Sequence, residues 1–233
     1  DDMTITGKRH DFRIDYDVGF DAQGRILGLD VMLASRCGYS ADFSGPVNDR
    51  ALLHIDNCYH LPNLTAVGHR CRTHTQSSTA FRGFGGPQGM FAIETVIDEI
   101  ARHLGKDALD VRRLNLYRTS DDPDTLTTQY GQQIEDWVGD QVLAEVEARA
   151  GYRQRRAEVA QWNAQHKTRK RGLAITPVKF GISFTATLLN QAGALVNVFN
   201  DGSVAVNHGG TEMGQGLNTK IAQLTADELG CDV

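Results

Sequence analysis

The chain has 233 residues, long enough for one large domain or two modest ones with a buried core. Apolar residues at 40% and charged residues at 23% are ordinary for a globular protein, and 24 basic against 29 acidic side chains leave a net charge of −5, which argues against a general nucleic-acid binder. No run approaches the roughly 20 apolar residues that span a bilayer, no signal-peptide pattern opens the chain, and the four cysteines form no C-x-x-C pair, so reduced thiols in a cytoplasmic protein are expected rather than disulfides or metal ligands.

In chain order, residues 10–20 alternate, with Phe12, Ile14, Tyr16, Val18 and Phe20 on one face. A turn at Asp21–Gly24 leads into a second alternating run through Leu27, Leu29, Val31 and Leu33, which predicts a β-hairpin. Pro46 suits the first turn of a helix reaching about Ile55, and Leu64–Arg72 reads as extended. Ile93, Val96, Ile97, Ile100 and Leu104 recur at helical spacing, with Gly105 as the stop. Asp107 is placed to cap a short helix carrying Leu109, Val111 and Leu114. Residues 120–132 read as a polar surface loop, and 136–150 as a helix with Val138, Val142 and Val146 on one stripe. The polar stretch 153–171, ending in KTRKR, reads as a solvated helix face or crossover. Strands are expected again in GLAITPVKFGI (172–182) and ALVNVFNDGSVAVNHGG (194–210), the latter turning at Asp201-Gly202. GGTEMGQG (209–216) then leads into an amphipathic helix, Leu217–Leu229. Hairpins, then helices, then hairpins predict an α+β fold, with a subdomain break placed near 150–172.

Two glycine-rich loops precede helices, and neither fits a nucleotide motif. RGFGGPQG and GGTEMGQG both lack the spacing of G-x-G-x-x-G, and no Gly-Lys-Ser/Thr closes either as a phosphate-binding loop requires. What survives is general: amides opening the helix at Leu217 can hold an anion through unpaired N–H groups and the helix dipole. The eight histidines show no zinc spacing, and there is no G-x-S-x-G segment for nucleophilic catalysis. Arg82, between Phe81 and Phe84 in the first glycine loop, calls for an anion or a salt-bridge partner. Arg50 reads locally as a surface pair with Asp49 or His54, and Phe84 and Phe184 as core aromatics. These residues alone describe an α+β chain with an anion-friendly, aromatic-bearing pocket, and they name no reaction.

Together they resemble something specific. SSTAFRGFGGPQG (77–89), TPVKFGISFT (176–185), LNQAGALV (189–196) and DGSVAVNHGGTEMGQGLNTKIAQ (201–223), with ALLHIDNCY (51–59) after Arg50, resemble the molybdenum-binding part of xanthine dehydrogenases, in the molybdenum hydroxylase family. The resemblance runs from ITGKRHDF near the start to the last helix. It implies a molybdopterin cofactor with Mo, hydroxylation of purines with oxygen from water, and electrons leaving through 2Fe-2S clusters to FAD on other domains or subunits.

By the same resemblance Arg82 and Gly83 lie against the Mo centre, Arg82 near the metal without ligating it, and the loop's glycines admit the bulky cofactor. Met213, Gly214 and Gln215 match the loop that embraces the pterin and its phosphate. Phe84 stacks on the purine, Phe184 meets its edge, and Thr185 hydrogen-bonds a substrate oxygen. Arg50 binds the far side of the ring and stabilises the negative charge that builds there. An arginine at this place favours purines over the aldehydes oxidised by relatives. No glutamate here matches the family's general base, and no iron–sulfur cysteine motif is present. The chain is therefore expected to be a piece of a longer molybdenum-binding region, inactive alone and completed by the rest of the molybdenum subunit and by FAD/iron–sulfur partners.

Overall fold

The computed structural model describes residues 2–119 and 123–233. After a short helix, α1 (Asp2–Ile5), the expected hairpin forms from β1 (Phe12–Phe20) and β2 (Ile26–Gly38), paired antiparallel. Phe12, Ile14, Tyr16, Val18 and Phe20 turn their alternate face to the core, as their spacing requires. One residue departs from its expected side. The register steps from Gly19↔Gly28 to Phe20↔Ile26, so Leu27 is the extra residue of a bulge and lies exposed while Ile26 is buried.

Helix α2 (Ser44–Leu53) carries the chain across the sheet to β3 (Leu64–Arg72), which pairs parallel to β2. Such a pairing needs a crossover, and α2 supplies it. Helix α3 (Gly86–Leu104) packs on β1 and α2, burying Ile93, Val96, Ile97 and Ile100, and ends at Gly105 in the left-handed conformation. Helix α4 (Ala108–Asn115) is capped by Asp107, whose carboxylate accepts from the Leu109 N–H at 2.9 Å.

Of the loop expected at 120–132, residues 120–122 lie outside the described residues. The remainder is more than a surface loop: it holds a 3-10 turn, Pro123–Leu126, and buries Thr125 and Thr128. Helices α5 (Gly139–Arg149) and α6 (Tyr152–Gln165) follow, tied to α4 through Arg153 with Asp110 and Glu147 (both 2.6 Å) and Arg156 with Asp107 (3.0 Å). These ion pairs explain how a stretch as polar as 153–165 holds a helix. The stripe Val138–Val142–Val146 is exposed, with Leu143 instead in the core. That stripe rims an apolar cavity of about 350 Å³ whose wall includes Trp137, Ile175 and Cys58. Burial pushes the Cys58 thiol up to about 12, which keeps it an inert, protonated thiol.

No strand forms over 172–182, contrary to the periodicity. Pro177 removes a ladder donor, and side chains take the place of a neighbouring strand. Buried Asn57 donates to the Pro177 carbonyl (2.9 Å) and accepts from the Lys179 N–H (3.1 Å), and Lys179 Nζ pairs with Asp56 at 2.9 Å.

Two compact units divide between Gly181 and Ile182, and within the 150–172 stretch α6 spans Tyr152–Gln165. The second unit holds the expected hairpin of β4 (Ala194–Val198) and β5 (Val204–His208), with Gly202 at φ +86 in its turn, and then α7 (Leu217–Leu229). Among the described residues no helix is long and apolar enough to cross a membrane.

Candidate functional site

In the first unit the site is built on α2. Arg50 is 5% exposed, not a surface residue, and its guanidinium donates to the Gly181 carbonyl at 2.5 Å while lying 5.3 Å from the centre of the Phe180 ring. Burial lowers its pKa, yet an arginine starts so high that it stays cationic. One helical turn on, His54 donates from Nδ1 to the Arg50 carbonyl (3.1 Å) and accepts the Gly181 N–H at Nε2 (3.1 Å). The expected Arg50–His54 pair thus exists through the helix backbone rather than as a surface contact.

His54 is neutral for stated reasons. Burial pushes its pKa down to about 4, and the cations of Arg50 and Lys179 push the same way against one hydrogen bond to the Arg50 carbonyl. A histidine depressed below its unfolded value near 6.5 contributes stability that is complete above that pH and is lost as pH falls toward 4. Allowing for solvent screening, the loss is about 2 kcal/mol. Denaturant midpoints measured from pH 7 to 4.5 are expected to fall more steeply for the parent than for His54→Gln. Parallel slopes would remove His54 from the account.

The first glycine loop runs along the same helix. Gly83, Phe84 and Gly85 have φ of +91, +52 and +103 in succession, which brings Phe84 edge-on to Phe43 with ring centres 5.8 Å apart. Phe84 is half-buried, not a core aromatic, and Arg82 is exposed, its carbonyl accepting from Arg9 at 2.5 Å. The glycines answer first to the protein's own packing. A Cβ on Gly85 would lie 2.0 Å from the Val47 carbonyl oxygen, and one on Gly89 2.2 Å from that of Ala51. What approaches this backbone closely is α2.

In the second unit, Asn190 grips Phe184 by both backbone groups, accepting its N–H at 2.7 Å and donating to its carbonyl at 3.0 Å. Phe184 and Thr185 are half-buried. The GGTEMGQG loop is closed by its own side chains. The Glu212 carboxylate accepts from the N–H groups of Gly214 (2.8 Å), Gly216 (3.0 Å) and Asn218 (3.3 Å). Gln215 accepts from Met213 N–H at 2.6 Å and donates to the Thr211 carbonyl at 2.8 Å. Desolvation that would raise the pKa of Glu212 is outweighed by those backbone donors, so its carboxyl sits below the usual range. The anion expected on the first amides of α7 is therefore a carboxylate of the chain itself. Met213 stays exposed, and open space lies beside Gly216.

Arg50, Phe84, Arg82 and Gly83 share one unit, and Phe184, Thr185 and Met213–Gln215 share the other. Sequence reasoning named His54 as a partner of Arg50, which the i, i+4 spacing favours, but missed that the pair is buried and holds Gly181. It missed Glu212 as the internal cap, and Phe180 and Gly181, which carry no local signal. Among the described residues no group of three or more His, Cys, Asp or Glu side chains is arranged to hold a metal ion.

Residues 1–116 match one model of the molybdopterin cofactor-binding domain, and residues 145–233 match a second of the same description. The chain belongs to the molybdopterin cofactor-binding domain family. This cofactor-binding chain is 50% identical over 230 residues to a xanthine dehydrogenase of Drosophila subobscura, covering 99% of the chain and 17% of that relative. It is 47% identical over 231 residues to a nicotinate hydroxylase of Emericella nidulans, with 98% and 17% covered. Its fold matches quinoline 2-oxidoreductase of Pseudomonas putida 86 with a TM-score of 0.70 at 22% identity, over 96% of the chain and 29% of that structure. The chain thus spans about 17% of the length of these curated relatives.

Proposed function

We propose that the chain is the cofactor-binding part of a molybdenum hydroxylase that oxidises purines, hypoxanthine to xanthine and xanthine to urate. Arg50 carries this reading: a buried guanidinium, anchored to Gly181 and Phe180, on the same helix that supports the Phe84 loop. Molybdopterin would be held by Arg82 and Gly83 on one loop and by Met213, Gly214 and Gln215 on the other. The second loop suits a flat group laid against exposed backbone and Met213, since Glu212 already takes the helix amides. When bound, the molybdenum centre supplies oxygen derived from water and takes up the substrate's two electrons.

The chain's own residues bind and orient. Phe84 stacks on the purine, Phe184 meets its edge, geometries that aromatic quadrupoles favour, and Thr185 hydrogen-bonds a ring substituent. Arg50 faces the far side, where charge accumulates as oxygen adds. Removing a preorganised donor of this kind costs about 2.7–4 kcal/mol in the barrier. The proposed partners are the remainder of the molybdenum subunit, with its general base, and the FAD and 2Fe-2S domains.

A second reading takes another N-heterocycle as substrate, which the nicotinate hydroxylase at 47% identity favours, or an aldehyde. Arg50→Met in the full-length protein decides between them. Xanthine turnover per molybdenum is expected to fall about 100–1,000-fold with aldehyde turnover little changed. Equal loss would count against purines, and full-length protein lacking molybdenum and pterin would sink the enzyme reading.

A further inference from the structure

Both backbone polar groups of Gly181 are gripped by side chains one turn apart, Arg50 within α2 and His54 at its C-cap. Its N–H is held by His54 Nε2 at 3.1 Å, and its carbonyl by Arg50 at 2.5 Å. His54 is itself fixed at its other nitrogen by the Arg50 carbonyl. Its ring packs against Phe180 with centres 4.9 Å apart, and Phe180 in turn lies beside the Arg50 guanidinium at 5.3 Å. The Phe180 ring also packs over Gly86, where a Cβ would come within 2.6 Å of a ring carbon. Arg50, His54, Phe180 and Gly181 form a closed circuit, and every contact of His54 in it passes to Arg50.

A long, many-rotamer arginine side chain loses much freedom when fixed, so a guanidinium that must meet one substrate edge needs such a frame. We propose that His54 is a positioning residue for Arg50: by holding Gly181 and Phe180 in place it aims the guanidinium and so sets the preference for purine. The inference rests on the reading of Arg50 as the purine-binding arginine. His54 does no proton transfer in it, since both ring nitrogens are already engaged.

The test uses full-length enzyme loaded with its cofactor. His54→Leu is expected to lower kcat/KM for xanthine about 10–100-fold, the loss that a misplacement of about 1 Å brings, with aldehyde turnover per molybdenum nearly unchanged. His54→Gln, whose amide oxygen can accept the Gly181 N–H, recovers most of it. Added to Arg50→Met, His54→Leu costs nothing further, because the two act as one unit. Independently of turnover, hydrogen exchange at the Gly181 amide quickens in His54→Leu and stays near the parent rate in His54→Gln. Should His54→Leu fail to accumulate, His54→Asn, too short to reach Gly181, replaces it in each comparison. Equal loss on both substrates, full additivity with Arg50→Met, or unchanged Gly181 exchange would overturn the proposal. If Arg50→Met itself proves unselective, the purine reading fails, while exchange at Gly181 still judges the clamp.

Discussion

Replacing Arg112 by methionine is expected to destabilise the protein by about 3–5 kcal/mol, the usual cost of leaving a buried charge without its partner. Arg112 is 1% exposed, and its guanidinium bonds Glu94 and Asp98, each at 2.7 Å. Glu94 is the vulnerable partner, with its side chain only 15% exposed, whereas that of Asp98 is 46% exposed and can turn to water. The same Glu94 carboxylate accepts from Tyr59 at 2.5 Å and from Asn57 at 2.9 Å, and Asn57 in turn holds the backbone at Pro177 and Lys179. The damage should therefore extend to the 172–181 segment that carries Phe180 and Gly181. Urea unfolding of the full-length protein, followed by protease sensitivity around residue 177, measures both. Arg112→Met combined with Glu94→Gln removes both ends of the pair and keeps an acceptor for Tyr59, so it should be more stable than Arg112→Met alone. A double variant as weak as the sum of its parts would show that packing, not the stranded charge, was responsible.

Gly85→Ala is expected to be comparably severe. Overpacking of a tight contact costs about 1–3 kcal/mol, and here the obstacle is a backbone oxygen on α2 that cannot turn aside. The φ of +103 adds a further ~1–3 kcal/mol for any residue with a Cβ. Gly89→Ala meets the same obstacle one turn along without the φ penalty, so it should cost less. Thermal midpoints of cofactor-free and cofactor-loaded full-length protein separate the two accounts of this loop. If the glycines serve α2–α3 packing, the loss is present in the cofactor-free protein. If it appears only on loading, cofactor approach is what they serve.

Where the chain's own chemistry is local, the sequence was legible. The hairpin of β1 and β2, helix α3 with its Gly105 stop, the Asp107 cap and helix α7 all follow from periodicity and end signals within a few residues of one another. Legibility failed where distant side chains did the work of a neighbouring strand or helix. The alternating 172–182 run finds Asn57 and Asp56 as partners, not a strand. The Val138 stripe lines a cavity, since Leu143 points to the core. The candidate site divides along the same line. The glycine loops and their helices could be placed from local residues, but the burial of Arg50 and the capture of the α7 amides by Glu212 could not.

By itself the sequence determined the α+β class, the order of hairpins and helices, and, through TAFRGFGGPQG and GGTEMGQG, the kinship to molybdopterin-binding chains, because these depend on short-range periodicity and on residue types in order. Only the tertiary structure decided that Arg50 is buried against Phe180 and Gly181 and that His54 holds them there. It also decided that Gly85 and Gly89 make room for α2. Such contacts join residues far apart in the chain, as with Arg50 and Gly181, which are 131 positions apart. No local propensity encodes a contact of that range; it forms only when the packed core brings both partners to one place.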